Sequence, residues 1–213
     1  MLKIFSFTLL IIPFVLISCA KKDDSSSSTP TYTYASAASG ATASGSITLG
    51  NYSISGTYAT ACFSSSDSSG PTDATHIGMV AVVTGNDNLT LETNYYTDST
   101  CTADTLSFGS YMNIDNVTDQ GPTASDSTAN QKVTYVLENL SFMVKSTAAD
   151  TFATALWSAF SIDFEVDVLK VLSSGLSYYN IIKVTGTGGD VYFGDPDRSA
   201  YPSTVGSNKY VKQ

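Results

Sequence analysis

The feature that most constrains the fold is a two-residue alternation of apolar and polar side chains in short runs that begin near residue 45. Neighbouring side chains of an extended strand leave opposite faces, so this alternation is typical of strands with one buried face. Gly, Asn, Asp and Pro separate the runs where turns are needed. The predicted strands are 47–49, 52–58, 77–83, 89–95, 106–108 with 111–114, 132–144, 162–168, 178–184 and 190–193.

These eight to ten strands predict an all-β, antiparallel barrel or sandwich with one short helix. A domain of about 170 residues matches a closed eight-stranded up-and-down barrel, whose interior holds side chains or one small ligand. Asp150 is expected to cap the helix, because the apolar residues Phe152, Leu156 and Trp157 follow it at helical spacing, as does Phe160. Residues 120–130 are expected to form a loop.

The run 162–168 has the cleanest alternation in the chain. Its four apolar side chains are predicted to face inward and its three carboxylates outward, because the opposite register would bury the charges. The apolar set is Ile162, Phe164, Val166 and Val168, and the acidic set is Asp163, Glu165 and Asp167. A row of carboxylates that binds a cation such as Ca²⁺ is the alternative. The solvated face is favoured, so no metal site is predicted.

The first 18 residues predict a secretory signal peptide. Lys3 provides a basic start, and the apolar run 4–18 would rise about 22 Å as a helix, less than the roughly 30 Å of a membrane core. The junction Leu16-Ile17-Ser18-Cys19 resembles the lipobox of bacterial lipoproteins. The resemblance implies cleavage before Cys19 and a membrane anchor of acyl chains on Cys19. An ordinary signal peptide is the alternative.

The resemblance also bears on the compartment. Bacterial lipoproteins kept at the inner membrane of enteric bacteria carry Asp after the lipidated Cys, and this chain has Ala20 there. The resemblance thus implies the cell envelope, with the outer membrane favoured over the inner membrane. Residues 19–44 are rich in Ser, Thr and Ala without apolar periodicity, which predicts a flexible tether. The predicted organisation is signal peptide 1–18, lipidated tether 19–44 and barrel domain 45–213.

The chain has three cysteines, Cys19, Cys62 and Cys101. If Cys19 is lipidated, Cys62 and Cys101 remain in an oxidising compartment and are expected to form a disulfide. The alternative is two free thiols. A metal site is not expected from these cysteines, since there is no CxxC spacing.

Three short motifs occur along the predicted barrel. The first is Gly56-Thr57-Tyr58, shortly before Cys62, and the second is Tyr96–Cys101, with the pattern Tyr-x-Asp-x-x-Cys. The third is Asp190–Asp195, which is followed by a tail that contains Pro202 and Lys209-Tyr210-Val211. They resemble motifs of small bacterial envelope lipoproteins with lipocalin-like barrels. The resemblance covers about residues 50–213 and implies a lipocalin-like (calycin-type) barrel. It implies no catalytic residue.

The remaining chemistry does not indicate an enzyme. His76 is the single histidine, no Gly-x-Ser-x-Gly nucleophile motif occurs, and His76 is expected at the surface. Asp195-Pro196-Asp197-Arg198 is expected to form a polar turn with a local Asp–Arg pair, and a cation or anion site is the alternative. No catalytic residue and no cofactor is predicted. The net charge of -9 argues against a nucleic-acid partner.

Two classes of function follow from this pattern. The first is a lipid-anchored binding module that holds a small apolar ligand, or a partner protein through its loops; the ligand-binding residues are not identifiable from the sequence. The second is a structural or interaction lipoprotein at the cell surface that contacts envelope or host components through a filled barrel. An apolar cavity above about 300 Å³ would favour the first. An interior occupied by Phe108, Phe164 and Trp157 would favour the second.

Overall fold

The computed structural model describes residues 32–65, 70–123, 126–186 and 189–213. The predicted signal peptide, Cys19 and the first part of the predicted tether therefore lie outside the described residues. Within these ranges no helix is long and apolar enough to cross a membrane. The strands are β1 Ile47–Leu49, β2 Tyr52–Ile54, β3 Thr57–Ala59, β4 Phe63–Ser64, β5 His76–Val83, β6 Leu89–Tyr96, β7 Leu106–Thr123, β8 Asp126–Val144, β9 Leu169–Val184, β10 Val191–Phe193 and β11 Val211–Lys212, and helix α1 is Thr147–Leu156.

Eight strands form an antiparallel sheet that nearly closes into a barrel, in the order β10-β9-β8-β7-β6-β5-β3-β11. Strands that follow one another in the chain are neighbours in the sheet, which is the up-and-down arrangement. The two ends of the sheet meet where β11 pairs with β3 and where Tyr210, just before β11, bridges Val191 of β10. The all-β antiparallel barrel with one helix that the sequence predicts is confirmed.

One end of the barrel interior is filled by the β1–β2 hairpin. Gly50, at φ 57°, and Asn51 form the predicted turn between these two strands. Ile47, Leu49 and Ile54 point from the hairpin into the barrel core and are at most 1% exposed. Side chains from seven barrel strands complete this cluster, among them Tyr58, Met79, Leu89, Ile114, Val133, Tyr178 and Val191.

The other end is filled by an aromatic cluster beneath α1. Phe142 lies at its centre, with its ring centroid 6.1 Å from Phe108, 5.1 Å from Trp157 and 5.8 Å from Phe164. Phe152 of the helix adds an edge contact to Phe108 at 5.4 Å. Phe108, Phe164 and Trp157 therefore occupy the interior as the filled-barrel alternative expects.

The prediction of a strand over 162–168 is wrong. This segment is a loop between α1 and β9, and the positive φ angles of Ser161 (52°) and Asp167 (64°) break the extended path at both ends. Only part of the predicted inward face is buried: Phe164 is 5% exposed, whereas Val166 is 42% and Val168 is 48% exposed. Within the described residues no strand pairs with this segment, so it forms a loop. Phe164 is the residue that anchors the loop to the core.

Two further local predictions are also wrong. Ser146, not Asp150, caps α1: its hydroxyl accepts a hydrogen bond from the Ala149 N–H at 3.0 Å. Asp150 lies in the first turn, where its charge favours the helix dipole. Residues 120–130 are not one loop, because β7 runs to Thr123 and β8 starts at Asp126.

Residues 32–44, which we name the N-terminal strap, lie on the outer face of the barrel. The sequence places them in a flexible tether, but the structure packs them against β3, β5 and β6. Backbone hydrogen bonds join Ala35 N–H to Thr60 and Ser44 N–H to Val83. Ala35 is 4% exposed, and its cluster includes Val80 and Val82, which point outward from β5. The strap therefore explains why β5 is apolar on both faces.

Candidate functional site

A polar groove with a volume of about 450 Å³ lies on the outer face of the barrel. Its floor is formed by β6, β7 and β8, one side by the strap, and the far side by the start of β9. We name this cavity the outer groove. It is lined by Ser39, Gly40, Ala41, Thr84, Asn88, Leu89, Thr90, Tyr111, Asn113, Ile114, Asp115, Glu138, Asn139, Ser141 and Leu169.

A row of polar side chains crosses the floor. The strand register places Thr90, Asn113, Asn139 and Ser173 side by side on four neighbouring strands. The Thr90 hydroxyl donates to the Asn113 side-chain carbonyl at 3.0 Å, and the Asn113 amide donates to the Asn139 side-chain carbonyl. The Ser141 hydroxyl donates to the same Asn139 oxygen at 3.0 Å. These bonds hold the floor side chains in fixed orientations.

This bonding pattern leaves specific groups for a ligand. Asn139 uses its carbonyl twice, while its amide nitrogen has no acceptor among the described residues. Asp115 accepts from the Asn88 amide through one oxygen only. Glu138, at the rim, is exposed. The outer groove thus offers an amide donor beside hydroxyl and carboxylate acceptors.

A buried polar cluster lies where the floor meets the strap. Glu92 is 2% exposed, and its carboxylate accepts from the Ala38 N–H at 2.7 Å and from the N–H and hydroxyl of Ser39. The Asn94 amide donates to it at 2.9 Å. Such charge-assisted bonds are stronger than neutral ones, so Glu92 fixes the strap along the outer groove.

Tyr111 lines the outer groove beside this cluster and is 2% exposed. Its hydroxyl is buried without a hydrogen-bond partner in the described chain. Burial raises the pKa of the Tyr111 hydroxyl, and the charge of nearby Glu92 raises it further. The hydroxyl is therefore protonated at neutral pH.

The side of the outer groove formed by β9 is apolar. Leu169 lines it and is 44% exposed, and Val171, which pairs with Ser141 of the floor, is 51% exposed. Opposite them, Gly40 of the strap has a positive φ of 78° and nothing within 4 Å of the position of a Cβ atom. The outer groove therefore combines a polar floor with an apolar wall and an open rim.

The predicted disulfide is confirmed. Cys62 and Cys101 are bonded, with their Cα atoms 6.1 Å apart. Both residues also hold the strap, since the Cys62 N–H donates to Thr33 and the Cys101 carbonyl accepts from Ser36. Lipidation of Cys19 stays a prediction, because that residue lies outside the described residues.

The other residues singled out in the sequence lie away from the outer groove. His76 is half-buried at the start of β5, with Nδ1 2.9 Å from the Thr75 hydroxyl. The acidic residues of the 162–168 loop are exposed, and Asp167 pairs with Lys145 at 2.8 Å. Across the described ranges, no three His, Cys, Asp or Glu side chains are grouped so that they could hold a metal.

Asp197 forms a polar turn, as the sequence predicts, but with other partners. Its carboxylate accepts from the hydroxyl and the N–H of Ser199 and from the Ala200 N–H. These bonds, the Ser199 hydroxyl first, hold the pKa of Asp197 below its usual range. No salt bridge to Arg198 occurs among the described residues.

The sequence analysis missed the outer groove. The available signal was a set of polar residues at alternate positions in three successive strands, which is equally typical of a solvated sheet face. Only the register aligns them, and only the strap gives the face a wall. A comparison with protein-family models and with curated proteins finds no match for the chain.

Proposed function

We propose that this protein is a lipid-anchored, non-catalytic binding module of the bacterial cell envelope that engages its partner through the outer face of the barrel. The observation that carries the proposal is the contrast between the two faces of the sheet. Both ends of the interior are packed, whereas the outer face has a groove of about 450 Å³ with unused hydrogen-bonding groups.

The packed interior supports the second of the two classes of function that the sequence leaves open. A small apolar ligand inside the barrel would have to displace the β1–β2 hairpin or the aromatic cluster around Phe142. Protein interiors are close-packed, and the removal of such contacts costs several kcal/mol. The filled-barrel interaction protein is therefore favoured over a carrier of small apolar molecules.

The envelope location rests on the N-terminal sequence and on the cysteines. A signal peptide followed by a lipobox-like junction supports attachment through Cys19, with the outer membrane favoured over the inner membrane. A disulfide between Cys62 and Cys101 is compatible with an oxidising compartment. The membrane, reached through acyl chains, and an envelope or host component are the partners of this proposal.

Substitution of Cys19 tests the anchor. Cys19→Ser is expected to release the protein from membranes and to abolish labelling with a palmitate analogue, because Ser lacks the thiol that is acylated. Membrane fractionation and metabolic labelling measure both effects. A Ser variant that stays in the membrane fraction and keeps its label would contradict lipid attachment at Cys19.

A second experiment tests the outer face. The lipidated protein is purified from its own cells, and native mass spectrometry or chemical crosslinking identifies what it retains. Glu138→Trp places a bulky ring on the rim of the outer groove and is expected to reduce the retained partner at least tenfold. Glu165→Trp, at another exposed position, in the loop before β9, is the matched control and is expected to retain it. Equal retention by both variants would refute the outer groove as the binding surface.

A further inference from the structure

We infer that the outer groove binds a neutral, hydroxyl-rich ligand of the saccharide class. This inference rests on the proposed function and names the chemistry of what the outer groove holds. Three properties of the outer groove carry it: the pairing of donors with acceptors on the floor, the absence of basic side chains from the lining, and the apolar contacts at the side.

The floor offers donors and acceptors side by side, which is what neighbouring hydroxyl groups need. A sugar hydroxyl donates one hydrogen bond and accepts others, so it pairs best with an amide next to a hydroxyl or carboxylate oxygen. The free amide of Asn139 belongs to the same side chain whose carbonyl holds the Ser141 hydroxyl, and Glu138 at the rim is its neighbour in the chain. An apolar ligand would leave these groups desolvated and unpaired, at a cost of about 1–3 kcal/mol each.

The charge of the lining excludes an anionic ligand. The lining contains the carboxylates of Asp115 and Glu138 and no Lys, Arg or His. A phosphate, sulfate or carboxylate would meet negative charge without a compensating cation. The same two carboxylates attract cations, so a cationic probe is included in the test. A polyamine, however, would leave the amide and hydroxyl groups of the floor without partners.

The apolar contacts fit the C–H face of a sugar ring. Leu169 forms the wall on the β9 side and is 44% exposed, and Val171, which pairs with Ser141 of the floor, is 51% exposed. The four strands of the polar row span about 14 Å, which accommodates more than one sugar ring.

The test uses the lipidated protein in a detergent without a sugar head group. The probes are an array of neutral oligosaccharides of glucose, galactose, mannose, xylose and N-acetylhexosamines, with spermidine as a cationic probe. Asn139→Asp keeps the carbonyl oxygen that Asn113 and Ser141 use, removes the free amide donor and adds a negative charge. We expect the variant to bind its oligosaccharide at least tenfold more weakly than the native protein.

Asn51→Asp is the matched control, because it makes the same change in the exposed β1–β2 turn, and unchanged binding is expected. Ser141→Ala removes a floor hydroxyl without adding charge and is expected to weaken binding at least threefold, so the test does not depend on one variant. Thermal unfolding followed by circular dichroism confirms that each variant is folded.

Three outcomes would overturn the inference: no oligosaccharide of the array binds, binding is unaffected by both floor variants, or spermidine binds and Asn139→Asp strengthens it. These outcomes remain distinguishable from failure of the proposed function. If the Glu138→Trp variant loses its cellular partner but no oligosaccharide of the array binds to the native protein, the outer face binds a ligand that is not a saccharide. If neither experiment detects binding, both proposals fail.

Discussion

Replacement of Phe164 by Ala is expected to lower the free energy of unfolding by about 3–5 kcal/mol, the usual cost of deleting a buried aromatic side chain. Phe164 is 5% exposed and makes an edge contact with Phe142 at 5.8 Å. Since it enters the barrel from a loop, its removal leaves a cavity between α1 and the sheet that the surrounding aromatic rings fill only in part. Denaturant unfolding of the mature chain measures the change.

Two neighbouring substitutions control for this result. Glu165→Ala is expected to change the free energy of unfolding by less than about 0.5 kcal/mol, because the side chain is exposed. Val166→Ala is also expected to be nearly neutral, since Val166 is 42% exposed. A large loss of unfolding free energy in Val166→Ala would contradict the loop and support the strand that the alternation predicts. A larger cost for Glu165→Ala than for Phe164→Ala would mean that the acidic residues form a functional cluster.

Removal of the disulfide by the double substitution Cys62→Ala with Cys101→Ala is expected to lower the free energy of unfolding by roughly 4 kcal/mol. The bond joins residues 39 apart and so restricts the unfolded chain over a long loop. The double variant avoids a free thiol that a single substitution would leave. Denaturant unfolding of the native protein with and without reductant provides an independent estimate, which is expected to agree.

The same variant has a local consequence. Cys62 and Cys101 both hydrogen-bond to the strap through their backbones, so loss of the disulfide is expected to speed hydrogen exchange at Ser36 more than in the centre of the barrel. Non-reducing peptide mapping identifies the bond directly. The detection of both thiols in the free form in native protein would contradict it.

Much of the barrel was predictable because its determinants are local. An apolar run identifies β5, and alternation with turn residues identifies β6 and β1, nearly to the residue. The single strand predicted over 52–58 is wrong, because the chain breaks at Gly56, with φ 86°, into β2 and β3. In β6 and β1 a two-residue period of apolar side chains indicates the buried face directly. In β5 the β-branched apolar run indicates a strand that is buried on both faces. The disulfide was predictable for a different reason, since only two cysteines remain in the barrel domain.

The same rule fails at 162–168 for a physical reason. Alternation specifies which side chains share a face of an extended chain, but a strand also needs a partner for its backbone groups. The chain turns at Ser161 and Asp167, and one apolar residue, Phe164, is enough to anchor the segment. The alternating pattern is compatible with a strand and with an anchored loop. Whether a neighbouring strand is present to pair with the segment decides between them.

The sequence by itself determined the class of fold, the position of several strands and the cysteine pair. Attachment to a membrane stays a prediction. The tertiary structure alone decided that the strap covers β5, that Glu92 is buried beneath it, and that Thr90, Asn113 and Asn139 share one row. Residues 23 or more positions apart become neighbours only through the strand register. That register depends on how the whole sheet closes and fills its interior, and no local pattern specifies it.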